Sequence, residues 1–169
     1  MYRPSTYDIH NESMNLFVRI FNNCSMYSNI VMKPKEKEDF QCDGYFVNKN
    51  TGEKIGYDWE MRDRYFENGN FKFATLGQYE RKISKDDIEI SLQADSTQTA
   101  VAVAWHNDFK SNNVLNRSLS TDTEYKQQGQ TRETSKFWII MYEDVAILKK
   151  ILHYAFETGN RSYDNTNPK

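Results

Sequence analysis

The chain has 169 residues, of which 38% are hydrophobic, 14% aromatic and 27% charged. That length supports one hydrophobic core and is short for two, so a single domain spanning 1–169 is expected; 10 Phe, 11 Tyr and 3 Trp exclude an intrinsically disordered chain, despite a mean hydropathy of -0.85. A formal charge of -2 and a pI of about 5.9 exclude a global positive field, so contact with nucleic acid would need a local basic patch.

Cys24 and Cys42 are too few for a disulfide framework and form no CxxC pair, so they read as small core or strand residues of a reducing interior. The N-terminal MYRPSTYDIH lacks a signal-peptide apolar run, and no stretch approaches the ~18 apolar residues of a membrane span. A soluble cytoplasmic protein with no membrane partner is the expectation.

Met14, Phe17, Val18 and Phe21 fall at i, i+3, i+4 and i+7, which predicts an amphipathic helix over 8–23 with Asp8 or Asn11 as its N-cap. MKPKEKEDF breaks the periodicity and reads as a loop. Residues 40–47 and 54–62 favour extended structure around NKNTGE, whose Asn, Thr and Gly suit a reversal, so a β-hairpin is expected. In its second strand Ile55, Tyr57, Trp59 and Met61 share one face, and Asp58, Glu60 and Arg62 the other.

ENGN predicts a further turn, FKFATL a strand, and IEISLQA and AVAVAWH two more strands joined by DSTQT. Residues 107–135 are rich in Asn, Ser, Thr and Gln and read as a polar excursion holding at most a short helix. KFWIIMY is a buried segment or strand. Val145, Leu148, Leu152 and Phe156 then repeat at helical spacing before Gly159 and a polar tail over 159–169. The expected fold is α+β, or mixed α/β: a central mixed sheet of about five strands between an N-terminal and a C-terminal helix, with its core in 8–106 and 136–158.

Adjacent strands carrying Asp43, Asp58 and Glu60 would crowd carboxylates, which raise one another's pKa. A divalent cation relieves that crowding, and carboxylate oxygens are preferred ligands of Mg2+ and Mn2+. Helical Glu12, Asp43 on one hairpin strand and Glu60 on the next with Arg62 two residues later resemble the PD-(D/E)XK, or restriction-endonuclease-like, nuclease superfamily. FKFATLGQYERKI is similar to a phage and bacterial subset in which an Arg-Lys pair follows the acidic strand. The likeness covers roughly residues 8 to 106.

The resemblance implies a restriction-endonuclease-like fold and Mg2+- or Mn2+-dependent hydrolysis of DNA, in preference to RNA, in the cytoplasm of the host if a phage encodes it. It makes Asp43, Glu60 and Asp58 metal ligands, Lys82 and Arg62 catalytic, and Glu12 an accessory ligand. Arg64, Arg81 and Lys85, with Lys110 beside them, would hold backbone phosphates. Cys42 stands where the family often has Pro. Arg62 stands where the family has Lys, and guanidinium activates water poorly, so Lys82 would supply the amine from a migrated position.

Two other readings remain open. Asp43 and Glu60 could lie on an exposed strand face paired with Arg62, Arg64 or Lys54, each pair worth under about 1 kcal/mol. The same fold could also be a non-catalytic interaction or inhibitor module whose acidic face binds a protein. His10, His106 and His153 have no zinc-site spacing and read as surface or packing residues. The oligomeric state, a homodimer included, stays open.

Overall fold

The computed structural model describes residues 6–35, 42–62, 65–67, 70–111 and 132–164. Helix α1 (Thr6–Asn23) buries Met14, Phe17, Val18 and Phe21, the stripe its periodicity predicts. It begins earlier than the expected caps: Asp8 and Asn11 lie inside its first turns. Strand β1 (Ile30–Pro34) occupies part of the segment read as a loop. Pro34 is tolerated there because it ends an edge strand, where its missing N–H breaks no ladder bond.

The predicted hairpin forms from β2 (Gly44–Asn48) and β3 (Lys54–Met61), paired antiparallel with Gly44 opposite Tyr57 and Val47 opposite Lys54. Its turn closes on the Asn48 carbonyl, which accepts from the N–H groups of Thr51 and Gly52. Gly52 takes φ 78°, a conformation that favours glycine.

Between β3 and the next strand of the main sheet the chain makes a two-residue hairpin, β4 (Phe66–Glu67) with β5 (Asn70–Phe71). Strand β6 (Leu76–Tyr79) and the short helix α2 (Glu80–Ile83) follow. The single strand expected from FKFATL is thus divided between β5 and β6. Strand β7 (Ile90–Ala94) then pairs parallel with β3. β8 (Ala100–Trp105) pairs antiparallel with β7 and leads into helix α3 (His106–Ser111).

Strand β9 (Arg132–Ser135) pairs antiparallel with β6, so the end of the polar excursion is ordered sheet. β10 (Trp138–Met141) joins β8, and a 3-10 turn (Tyr142–Asp144) opens helix α4 (Val145–Thr158). Gly159, at φ 78°, donates its N–H to the Ala155 carbonyl and ends that helix. Residues 159–164, expected as free tail, are tied back: the Tyr163 N–H donates to Asp108 at 2.9 Å and Arg161 pairs with Glu89 at 3.2 Å.

The α+β expectation holds, with a six-stranded main sheet in the order β1-β2-β3-β7-β8-β10 where about five strands were expected. The main sheet gains β1 and β10 and lacks the strand expected from FKFATL, whose residues fall in the two small sheets.

The two faces of the sheet differ in chemistry. Against α1 and α4 it presents Ile55, Tyr57, Trp59, Ile90, Leu92, Val101, Val103 and Trp105, a continuous apolar core. The opposite face carries Asp58 and Glu60 from β3, Ser91 and Gln93 from β7, and Ala100, Ala102 and Ala104 from β8, all buried. A smaller cluster of Phe66, Leu76, Ile83 and Phe109 packs against those alanines.

Gly56 is where the crossover meets the sheet: the Glu89 N–H donates to its carbonyl at 2.9 Å, and a methyl at its Cα would run into the Asp87 carbonyl. Because the obstacle is backbone, Gly56→Ala is expected to cost about 2 kcal/mol. Urea denaturation should show a lowered midpoint with an unchanged slope.

Candidate functional site

Strict alternation along β3 sends Tyr57 and Trp59 into the helix-covered core and Asp58 and Glu60 to the other side. That side is not solvent. Asp58 and Glu60 are each only 6% exposed, which overturns the exposed-face reading for Glu60. An unpaired carboxylate at such burial would cost several kcal/mol, so their partners decide whether the strand can exist.

Those partners come from either side of β3. Lys82, on α2, brings its Nζ to 3.4 Å from Asp58 Oδ2 and into direct contact with Glu60. Arg62, just past the end of β3, pairs with the other oxygen of Glu60. Its guanidinium also lies over two rings, 5.9 Å from the Tyr65 centroid and 5.7 Å from that of Tyr79. Glu60 therefore sits between a compact ammonium and a planar guanidinium that aromatic contact orients.

Asp43 precedes β2 by one residue, and continuing the β2–β3 register puts it opposite Asp58. Its Oδ2 accepts the Trp59 N–H at 2.8 Å, and its own N–H donates to the Tyr57 carbonyl at 3.0 Å. Burial, and next the charge of Asp58, push the Asp43 carboxyl above the usual carboxylate range. The Trp59 N–H, His10 and Lys35 act in the opposite direction. The Asp43 carboxylate thus lies near enough to Asp58 for the two charges to repel.

A hydrogen-bonded row extends from Asp58 across the covered face. Gln78, on β6, points its Nε2 at both Asp58 Oδ2 (3.4 Å) and Ser91 Oγ (3.0 Å), while its Oε1 accepts the Tyr79 N–H. Ser91 Oγ lies 2.7 Å from His106 Nε2, so His106 reaches the acids through two side chains. Gln93, opposite Glu60 in the β3–β7 register, donates to the Gly77 carbonyl at 2.8 Å. Its buried Oε1 meets no donor among the described residues.

Of the residues singled out from sequence, Asp58, Glu60, Arg62 and Lys82 come together, while Asp43 bonds the Trp59 N–H and pairs with Lys35. Glu12 is exposed on α1 and makes no ion pair with Lys82 or Arg62. What α1 contributes instead is His10, whose Nε2 bonds the Trp59 carbonyl. Lys85 is half-buried beyond α2 and pairs with none of the acids. Arg64 and the side chains of Arg81 and Lys110 lie outside the described residues. His153 stacks on Tyr27, with ring centroids 4.0 Å apart, away from the site.

Sequence reading missed Gln78, Ser91, Gln93 and His10. Ser91 and Gln93 carried a usable signal, since they interrupt an otherwise apolar strand at a spacing of two. Gln78 and His10 carried none.

The donor set is all hard oxygen: three carboxylates, with the spare amide oxygen of Gln93 beside Glu60. Oxygen donors of this kind suit Mg2+ or Mn2+ better than zinc, but those of Asp58 and Glu60 are already paired with Lys82 and Arg62. Among the described residues no group of three or more His, Cys, Asp and Glu is arranged as a ready-made ligand cage. Lys82 lies against two of the acids. Compared with protein-family models, curated proteins and solved structures, the chain finds no significant match in any of the three.

Because the fold raises the Asp43 pKa, folded protein retains this proton to higher pH than the unfolded chain does. The associated stability is complete below the unfolded carboxylate range and is lost as pH rises through the folded value. Asp43→Asn is therefore expected to raise Tm at about pH 7 and to change it little at about pH 3, where the wild-type carboxyl is protonated. Lys82→Met keeps the volume but strands two buried carboxylates, and should cost about 3 kcal/mol in urea. Adding Glu60→Gln should recover part of that loss.

Proposed function

We propose that the chain is a metal-dependent nuclease of the PD-(D/E)XK type, hydrolysing phosphodiester bonds of DNA in preference to RNA, in the cytoplasm. The observation that carries this reading is the position of Lys82. Its amine lies against Asp58 and Glu60, where a strand with Arg at position 62 lacks the lysine this chemistry uses.

Asp43, Asp58 and Glu60 would hold Mg2+ or Mn2+, with Gln93 Oε1 as a neutral oxygen nearby. When bound, such an ion acidifies water and neutralises charge on the phosphodiester. The protein's own groups do the remainder. Lys82 Nζ, held in place by its two carboxylates, puts a positive charge where charge builds on the phosphoryl oxygens. Gln78 fixes the Asp58 carboxylate through one N–H and is itself fixed by Ser91 and by the Tyr79 N–H.

A non-catalytic module that docks a partner on its acidic face needs those acids at the surface. Asp58 and Glu60 are buried and already paired, so they form no open acidic face for a docking protein.

Cleavage of supercoiled plasmid in Mn2+ tests it. Wild type should nick the DNA, whereas Glu60→Gln, Asp43→Asn and Lys82→Met should each lose at least about 100-fold in rate. Equal activity in all four proteins would sink the assignment. Millimolar Mn2+ should also raise the Tm of wild type more than that of Asp43→Asn, because a ligand that binds the folded state stabilises it.

A further inference from the structure

The hairpin β4–β5 brings aromatic rings together beside the acids. Tyr65 and Phe73 meet edge to face with centroids 5.3 Å apart, Phe71 lies 6.1 Å from Tyr65 and 6.0 Å from Phe73, and Phe137 backs Phe71 at 4.7 Å. Phe71 and Phe137 pack onto the small apolar cluster, which anchors the group. Phe73 does not share that burial: at 51% exposed it is the most exposed large apolar side chain among the described residues. Its ring meets Tyr65 and Phe71 at an edge and leaves the rest of its surface open to a ligand.

Two features join this cluster to the site and say what it suits. The guanidinium that pairs with Glu60 also lies over the Tyr65 ring, so one residue, Arg62, separates the buried acids from the aromatic surface. Lys72, exposed, stands between Phe71 and Phe73 in the chain, so cationic and aromatic groups alternate. A duplex offers such a surface only its phosphates, because its bases are stacked on one another. An unpaired strand offers both an anionic backbone and free π-faces.

We infer that Phe73, with Tyr65 and Lys72, forms a stacking platform for unpaired nucleobases of single-stranded DNA entering the Glu60–Lys82 site. The inference rests on the nuclease reading for its position and deepens it by naming the substrate class: single-stranded DNA, or the unpaired end of a frayed or flapped duplex.

Fluorescence anisotropy with labelled single-stranded and blunt duplex oligonucleotides, in EDTA so that no cleavage intervenes, separates this claim from catalysis. Wild type should prefer the single strand. Phe73→Ala should weaken single-strand affinity roughly tenfold, in the range of one lost base–aromatic stack. Phe73→Trp should restore it, and Phe73→Leu, apolar but without a π-face, should not. Ile147→Ala, exposed on the far helix α4, serves as the control and should bind as wild type does. Unfolding transitions of the variants should match wild type, since Phe73 is half in water.

Equal affinity of wild type for both DNA forms, unchanged affinity in Phe73→Ala, or full rescue by Phe73→Leu would each overturn the platform. Glu60→Gln isolates the other reading, because it should abolish cleavage and retain single-strand binding. Loss of single-strand binding in Phe73→Ala, alongside a wild type that never cuts DNA, would uphold the platform and remove the nuclease.

Discussion

Two carboxylates side by side on one strand, both shut away from water, set the terms for the rest of this molecule. Asp58 and Glu60, at 6% exposure, need counter-charge; Lys82 lies against both and Arg62 adds to it at Glu60. How that lysine arrives is a matter of topology. β3 and β7 run parallel, and a parallel pair cannot be closed by a tight turn; it needs a crossover of a dozen or more residues. The crossover here carries β4, β5, β6 and α2, so one segment both satisfies the connection and lays Gln78 and Lys82 over the acids.

The covered face also shows how a polar layer is accommodated inside a small protein. Ala100, Ala102 and Ala104 on β8 leave room for the crossover to settle, while Ser91 and Gln93 on β7 provide hydroxyl and amide groups where larger apolar residues would have excluded partners. The row from Asp58 through Gln78 and Ser91 to His106 gives most of the buried polar atoms a partner within the row. On the other side of the sheet, α1 and α4 bury a conventional apolar core that carries the ordinary hydrophobic stabilisation. The two faces of the sheet thus differ, one apolar under the helices and one polar under the crossover.

Arg62 ties the two halves of the functional region together. Its charge is spent on Glu60 and its flat faces on Tyr65 and Tyr79, a combination that lysine, with no planar group, could not provide. With Lys82 delivered from α2, the strand position is free to hold the residue that connects acids to aromatic surface.

The sequence by itself determined what depends on local periodicity and turn chemistry. The stripe of Met14, Phe17, Val18 and Phe21, the β2–β3 hairpin around its Asn48–Gly52 turn, the β7–β8 pair and the closing helix ending at Gly159 were all legible, because each is specified within about 20 neighbouring residues. The alternation in β3 correctly put Asp58, Glu60 and Arg62 on one side and Trp59 on the other.

Periodicity fixes only which residues share a face, and leaves open whether that face meets water. That was decided by tertiary structure, when the crossover and the β6–β9 pair folded over it and turned an apparently solvated acidic strand into a buried one. Likewise β9 and β10 found their partners, β6 and β8, across more than 30 residues of chain. The meeting of Lys82 with Asp58 and Glu60, across more than 20 residues of chain, has no local signal at all; only the closing of the parallel pair brings it about.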